Sequence, residues 1–116
     1  MHQQITLVKK IKTIKDMAYY SVLDVTPTNE DWIPAYIGPA NKLVAKYGGK
    51  YLARTATHEQ IEGEQQDAAL RIVIEWPSRE AAMDFMNDTE YAPHLKARTA
   101  GSKSHHYLIE AKDDLA

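Results

Sequence analysis

Six residues carry most of the chemistry this sequence can offer: Arg54, Glu62, Glu75, Tyr91, His94 and Arg98. A guanidinium at Arg54 beside a carboxylate at Glu75 is a pair that holds a substrate carboxylate or enolate while the glutamate moves a proton. The plainer reading of the same pair is a salt bridge that fixes strand register or a subunit seam. Glu62, followed by Gly63, fits a turn or bulge whose carboxylate accepts backbone donors. Tyr91 and Arg98 share one face of a helical segment by their spacing, where both can wall a pocket, although a tyrosine packed with its hydroxyl bonded satisfies the same pattern. His94, a lone histidine after Pro93, offers a base or, with a haem, an axial ligand. His105 and His106 resemble a metal pair, but successive strand residues point to opposite faces, so one metal ion cannot easily take both. They are assigned to the sheet surface or a subunit seam. No metal site and no cofactor is indicated.

These side chains need elements to hold them, and the central one is Leu70–Trp76. Leu70, Ile72, Ile74 and Trp76 alternate with Arg71, Val73 and Glu75, the period of a strand whose first set lies under helices. Pro77 cannot continue a ladder and Ser78 caps the helix that follows, which buries Ala81, Ala82, Phe85 and Met86. Asp88 or Thr89 starts a shorter helical turn with Tyr91, Leu95 and Arg98. Earlier, Ala18–Val25 reads as a strand closed by Thr26-Pro27-Thr28-Asn29, with Thr28 or Asn29 capping a helix whose first turn holds Glu30 and Asp31. Trp32, Ile33, Tyr36, Ile37, Ala40, Leu43, Val44 and Tyr47 form its apolar face. Gly38-Pro39 predicts a kink or a break into two helices, and Gly48-Gly49 the stop. Lys50–Thr55 is a strand with Leu52 and Arg54 on one face and Tyr51 and Ala53 on the other. His58–Gly63 is expected to extend it before a hairpin loop over 64–68. Lys103–Ala111 is the last strand.

The order is βαββαβ, an α+β ferredoxin-like arrangement with a four-stranded antiparallel sheet and helices on one face. Its first and last strands are apolar on both parities: Tyr19, Leu23 and Val25 against Tyr20 and Val22, and Leu108 against Tyr107 and Ile109. The second sheet face therefore needs a cover, and another copy of the chain supplies one, so a homodimer is expected.

Composition narrows the function classes. A chain of 116 residues is one domain, here read as an extension over 1–16, a domain over 17–112 and a polar tail over 113–116. The extension carries Ile5, Val8, Ile11 and Ile14 among lysines, a weak basic amphipathic pattern, and Met17 is a second possible start. A formal net charge of -2 without a basic stripe disfavours nucleic acid. The absence of cysteine excludes disulfides and thiolate chemistry and fits a cytoplasmic protein. No apolar run is long enough to span a membrane.

Taken in order, Lys46-Tyr47-Gly48-Gly49-Lys50-Tyr51-Leu52-Ala53-Arg54, Ile61-Glu62-Gly63, Val73-Ile74-Glu75-Trp76-Pro77-Ser78, Ala81-Ala82 and Glu90-Tyr91 with Leu95 and Arg98 resemble domain of unknown function 1330, in the dimeric α+β barrel superfamily. The resemblance runs from Ala18 to Glu110. Trp76 stands where the family more often has phenylalanine. The resemblance implies the ferredoxin-like fold, the homodimer and a pocket between sheet and helices, and supplies no substrate; the antiparallel strand order is expected to make Arg54 and Glu75 neighbours, as an ion pair at the mouth of that pocket. Two functions remain open: small-molecule binding, with Arg54, Glu62, Tyr91 and Arg98 as ligand contacts, and a cofactor-free monooxygenase or isomerase using Glu75 or His94 for proton transfer.

Overall fold

Strand alternation and helix punctuation produce seven elements in the computed structural model, which describes residues 17–116. In chain order they are β1 (Tyr19–Pro27), α1 (Ile33–Lys46), β2 (Lys50–Thr55), β3 (Leu70–Trp76), α2 (Arg79–Met86), α3 (Ala92–Ala100) and β4 (Ser102–Glu110). The basic pattern read over 1–16 lies outside the described residues. The sheet is antiparallel throughout, in the order β2-β3-β1-β4, and the expected βαββαβ arrangement is present with its last helical segment divided into α2 and α3.

Register decides which residues meet. Ser21 lies opposite Ile74 and Leu108, and Leu23 opposite Ile72 and His106. Directly opposed residues share a face, so Ser21, Leu23, Val25, Ile72, Ile74, Trp76, His106 and Leu108 look toward the helices. Leu23, Val25, Ile74 and Trp76 are buried there against Ala40, Leu43, Val44, Ala82, Phe85 and Tyr91. The other face holds Val22, Val73, Tyr107 and Ile109, of which Val22, Tyr107 and Ile109 are exposed.

The stops behave as their chemistry requires. Ser78 Oγ accepts the Ala81 N–H at 3.0 Å and caps α2. Gly48, at φ 76°, turns the chain out of α1, and Gly49 packs so close to Val44 and Trp76 that a Cβ there would lie 2.7 Å from each.

Four local expectations are corrected. The chain remains one helix through Pro39: Gly38 has no Cβ to crowd the proline ring, and Ala35, whose carbonyl loses its N–H partner, is exposed to water. Neither Thr28 nor Asn29 caps α1, which begins at Ile33. Asn29 Oδ1 accepts the Asp31 N–H instead, making a turn that leaves Glu30 and Asp31 outside the helix. Residues 56–69 form a loop rather than a strand extension, organised by the Gln60 amide, which donates to the carbonyls of Glu62, Gly63 and Glu64 and accepts from Gln66 N–H. That amide, not the Glu62 carboxylate, satisfies the turn. Finally, β2 carries a bulge between Tyr51 and Ala53. The extra residue shifts parity, so Tyr51, opposite Ile74, and Arg54, opposite Ile72, share the helix-facing side.

Gly49→Ala is expected to destabilise the fold by about 2 kcal/mol through overpacking against Trp76 and Val44, read as a lowered urea midpoint with an unchanged slope.

Candidate functional site

Between the helix-facing side of the sheet and α1, α2 and α3 lies a cavity of about 410 Å³. Its floor is β1 and β3, through Leu23, Val25, Leu70, Ile72 and Ile74, and its roof includes Ile33, Tyr36, Ile37, Phe85 and Met86. Trp32 closes one end: its indole N–H donates to the Gly101 carbonyl at 3.0 Å, which also accepts the Thr28 N–H at 2.8 Å. A Cβ on Gly101 would fall 2.4 Å from the Trp32 ring, so the glycine is what allows this seat.

The polar groups of the cavity are few and come from separate elements. Ser21 of β1, fully buried, accepts the Trp76 indole N–H at 2.8 Å, and its Oγ lies 2.8 Å from His106 Nε2. Burial, and then the charge of Arg98, push the His106 imidazolium below the ordinary histidine range, so the ring is neutral near pH 7. The Tyr36 and Tyr91 hydroxyls are 2.6 Å apart. Burial, reinforced by Tyr91, raises the Tyr36 phenol far above its ordinary value, so it stays protonated. Tyr51 is also raised by burial, against the lowering influence of Arg54.

Two cations border this space. Arg54 stands at an exposed position with its guanidinium 3.9 Å from the Tyr51 ring centroid, donating to Asn41 Oδ1 at 2.6 Å. Arg98 is 4% exposed, and its Nη1 donates to Ser104 Oγ at 3.0 Å. Its buried Nε has no hydrogen-bond partner among the described residues. Among the described residues, no aspartate or glutamate lines the cavity.

The structure thus brings Arg54, Tyr91 and Arg98 to one cavity and leaves the other three candidates out of its lining. Glu75 lies opposite Tyr20 and Lys50, on the far sheet face from Arg54, so the expected Arg54–Glu75 pair is not made. The register is the first reason, since Lys50 takes the place opposite Glu75 and Arg54 lies further along β3, opposite Ile72; the bulge in β2 then turns Arg54 to the other face. Glu62 belongs to the loop after β2, beside His58 and Gln60, and His94, in the first turn of α3, does not reach the cavity wall. Tyr91 is 1% exposed with its hydroxyl bonded. The histidine pair separates as strand geometry demands: His105 is exposed with Nδ1 2.8 Å from Asp24 Oδ1, while His106 faces inward. Assigning both to the surface or a seam missed His106. The signal was available, because His106 is one strand repeat from Leu108 and Ser21 one repeat from Leu23. Among the described residues no group of three or more histidine or acidic side chains is placed to hold a metal ion, and no helix is long and apolar enough to cross a membrane.

Residues 18–112 match the family described as Domain of unknown function (DUF1330). Among solved structures, a protein of unknown function from Rhodopseudomonas palustris aligns with a TM-score of 0.73 at 14% identity, over 97% of this chain and 95% of that one. SnoaB, a cofactor-independent oxygenase from Streptomyces nogalater crystallised as a point mutant, aligns with a TM-score of 0.57 at 18% identity, over 86% of this chain and 97% of its own. A conserved protein of unknown function from Bacteroides thetaiotaomicron, described as a possible oxidoreductase, gives a TM-score of 0.51 at 16% identity, over 82% and 98%. At these identities the likeness is one of fold. A search of curated proteins gives no match.

Ser21→Ala strands the buried Trp76 N–H without its acceptor. An expected loss of about 2 kcal/mol, measured by urea unfolding, checks that this hydroxyl anchors the cavity floor; an unchanged midpoint would show that the bond carries no stability.

Proposed function

The chain belongs to the Domain of unknown function (DUF1330) family across residues 18–112, and on that premise we propose that the cavity between its sheet and helices binds a small organic molecule. The observation that carries the reading is the cavity itself. At about 410 Å³ it falls within the roughly 300–1,000 Å³ typical of small-molecule sites, and it combines an apolar lining with a few convergent polar groups. Arg54 at the mouth, Tyr91 in the wall and Arg98 in the interior are the proposed contacts, joined by Ser21 and His106. Glu62, Glu75 and His94 have no place in this set.

The open face of the sheet supports a homodimer. Exposed Val22, Tyr107 and Ile109 stand beside the half-buried Val73 on a surface that no helix of the described residues covers, and a second copy closing face to face would remove this apolar area from water. Replacing Val22 with Lys would place a charge in that seam, and sedimentation velocity should then register monomers where the parent chain sediments as a dimer.

A second reading, a cofactor-free enzyme, is favoured by one observation: His106 is a neutral base inside the cavity, in contact with Ser21. In this reading His106 replaces Glu75 and His94 as the proton-transfer group. It requires oxygen uptake with a bound enolisable aromatic that disappears in His106→Gln. Recovery of the ligand unchanged after prolonged aerobic incubation retires it.

The binding proposal is tested by blocking the space. Ile72→Trp puts an indole where the ligand would lie, in a cavity with room for it. Quenching of Trp fluorescence by naphthalene-sized compounds should be saturable in the parent chain, and at least tenfold weaker or absent in the variant. Equal binding by both would place the ligand elsewhere.

A further inference from the structure

We propose that the cavity selects an organic monoanion, a carboxylate on an apolar body of about ring size, held through Arg98. The proposal rests on the binding reading above and names the chemical class that the site takes.

Arg98 is the central observation. The side chain belongs to α3 and lines the cavity, yet it is 4% exposed, and no ion pair to it exists among the described residues. Isolated buried charge is expensive, and most ionisable groups escape by losing it. Arginine cannot, because its guanidinium remains protonated at any ordinary pH. One corner, Nη1, is satisfied by Ser104 Oγ at 3.0 Å, whereas Nε is buried without a partner. What remains is Nη2, which makes no hydrogen bond among the described residues and is the N–H corner left to donate to a carboxylate oxygen.

The charge balance of the cavity agrees. Among the described residues its lining holds two guanidiniums and no carboxylate. Arg54 is already engaged with Asn41 and the Tyr51 ring, so Arg98 is the cation left for a ligand. One buried guanidinium, with the second exposed and engaged by Asn41 and no lysine in the lining, suits one negative charge better than a phosphate dianion. The apolar lining, including Ile72, Ile74 and Phe85, supplies contacts for the body of the ligand. The same positive charge acts on its neighbours, lowering the proton affinity of His106 and opposing the burial that raises Tyr36 and Tyr51.

The test compares two probes of nearly one shape, 2-naphthoate and its neutral amide, 2-naphthamide, by calorimetric titration of the full chain at pH 7. The carboxylate is expected to bind roughly tenfold to a hundredfold more tightly, the span of one charge-assisted contact. In Arg98→Met the preference should collapse to about one, because the carboxylate loses its charge-assisted contact. That variant should also melt higher by a few degrees, since an apolar side chain replaces an uncompensated buried charge. Equal affinity of the two probes for the parent chain overturns the anion proposal and leaves the binding reading standing. Failure of both probes to bind removes both. A preference that persists in Arg98→Met overturns the assignment to Arg98. The comparison in the parent chain does not depend on how the variant folds.

Discussion

The indole of Trp76 holds this fold in its working shape. It is 1% exposed at the end of β3, and its single N–H has one acceptor, Ser21 Oγ on the neighbouring strand. A ring of that size buried under helices contributes on the order of 3 kcal/mol of apolar burial, and it dictates what surrounds it. Gly49 must lack a side chain to pass it. Phe85 packs 5.2 Å away between ring centroids, and Tyr91 packs 4.1 Å from Phe85. Through that aromatic chain the strand positions α2 and the start of α3, and α3 carries Arg98 to the cavity wall two turns later. The polar end of the site is therefore set by an apolar contact some distance away in sequence.

The same arrangement explains why the interior holds a tension that packing alone does not resolve. Among the described residues, a guanidinium buried beside a serine, a neutral histidine and protonated phenols sits among dipoles but no anion, an arrangement that costs stability where an apolar residue would not. Sites that recognise charged ligands accept such costs, because the ligand removes them on binding. The sheet face left open among the described residues is a second unsatisfied feature of a different kind. In the proposed reading a ligand answers the first and a second copy of the chain the second.

Much of this architecture was legible in the residues because it rests on simple periodicities. Alternation in Leu70–Trp76 identified the helix-facing set, Ser78 announced its helix, Gly48-Gly49 the turn, and the spacing of Tyr91 and Arg98 their common face. What could not be read was the bulge in β2. An inserted residue leaves no side-chain signature, yet it reverses parity, moving Arg54 onto the face of Tyr51 and away from Glu75. The helix continues through Pro39 because a missing hydrogen bond is harmless where water can replace it. His106 is legible by parity: it stands one strand repeat from Leu108, which places it inside, whereas its adjacency to His105 suggests only a metal pair that strand geometry forbids.

Native mass spectrometry of gently purified protein tests the central claim most directly, since one spectrum reports subunit number and any retained molecule. The account predicts a dimer carrying one small organic acid per subunit, released on mild activation as an anion of low mass. A monomer at micromolar concentration, or a retained molecule that is basic, would contradict it.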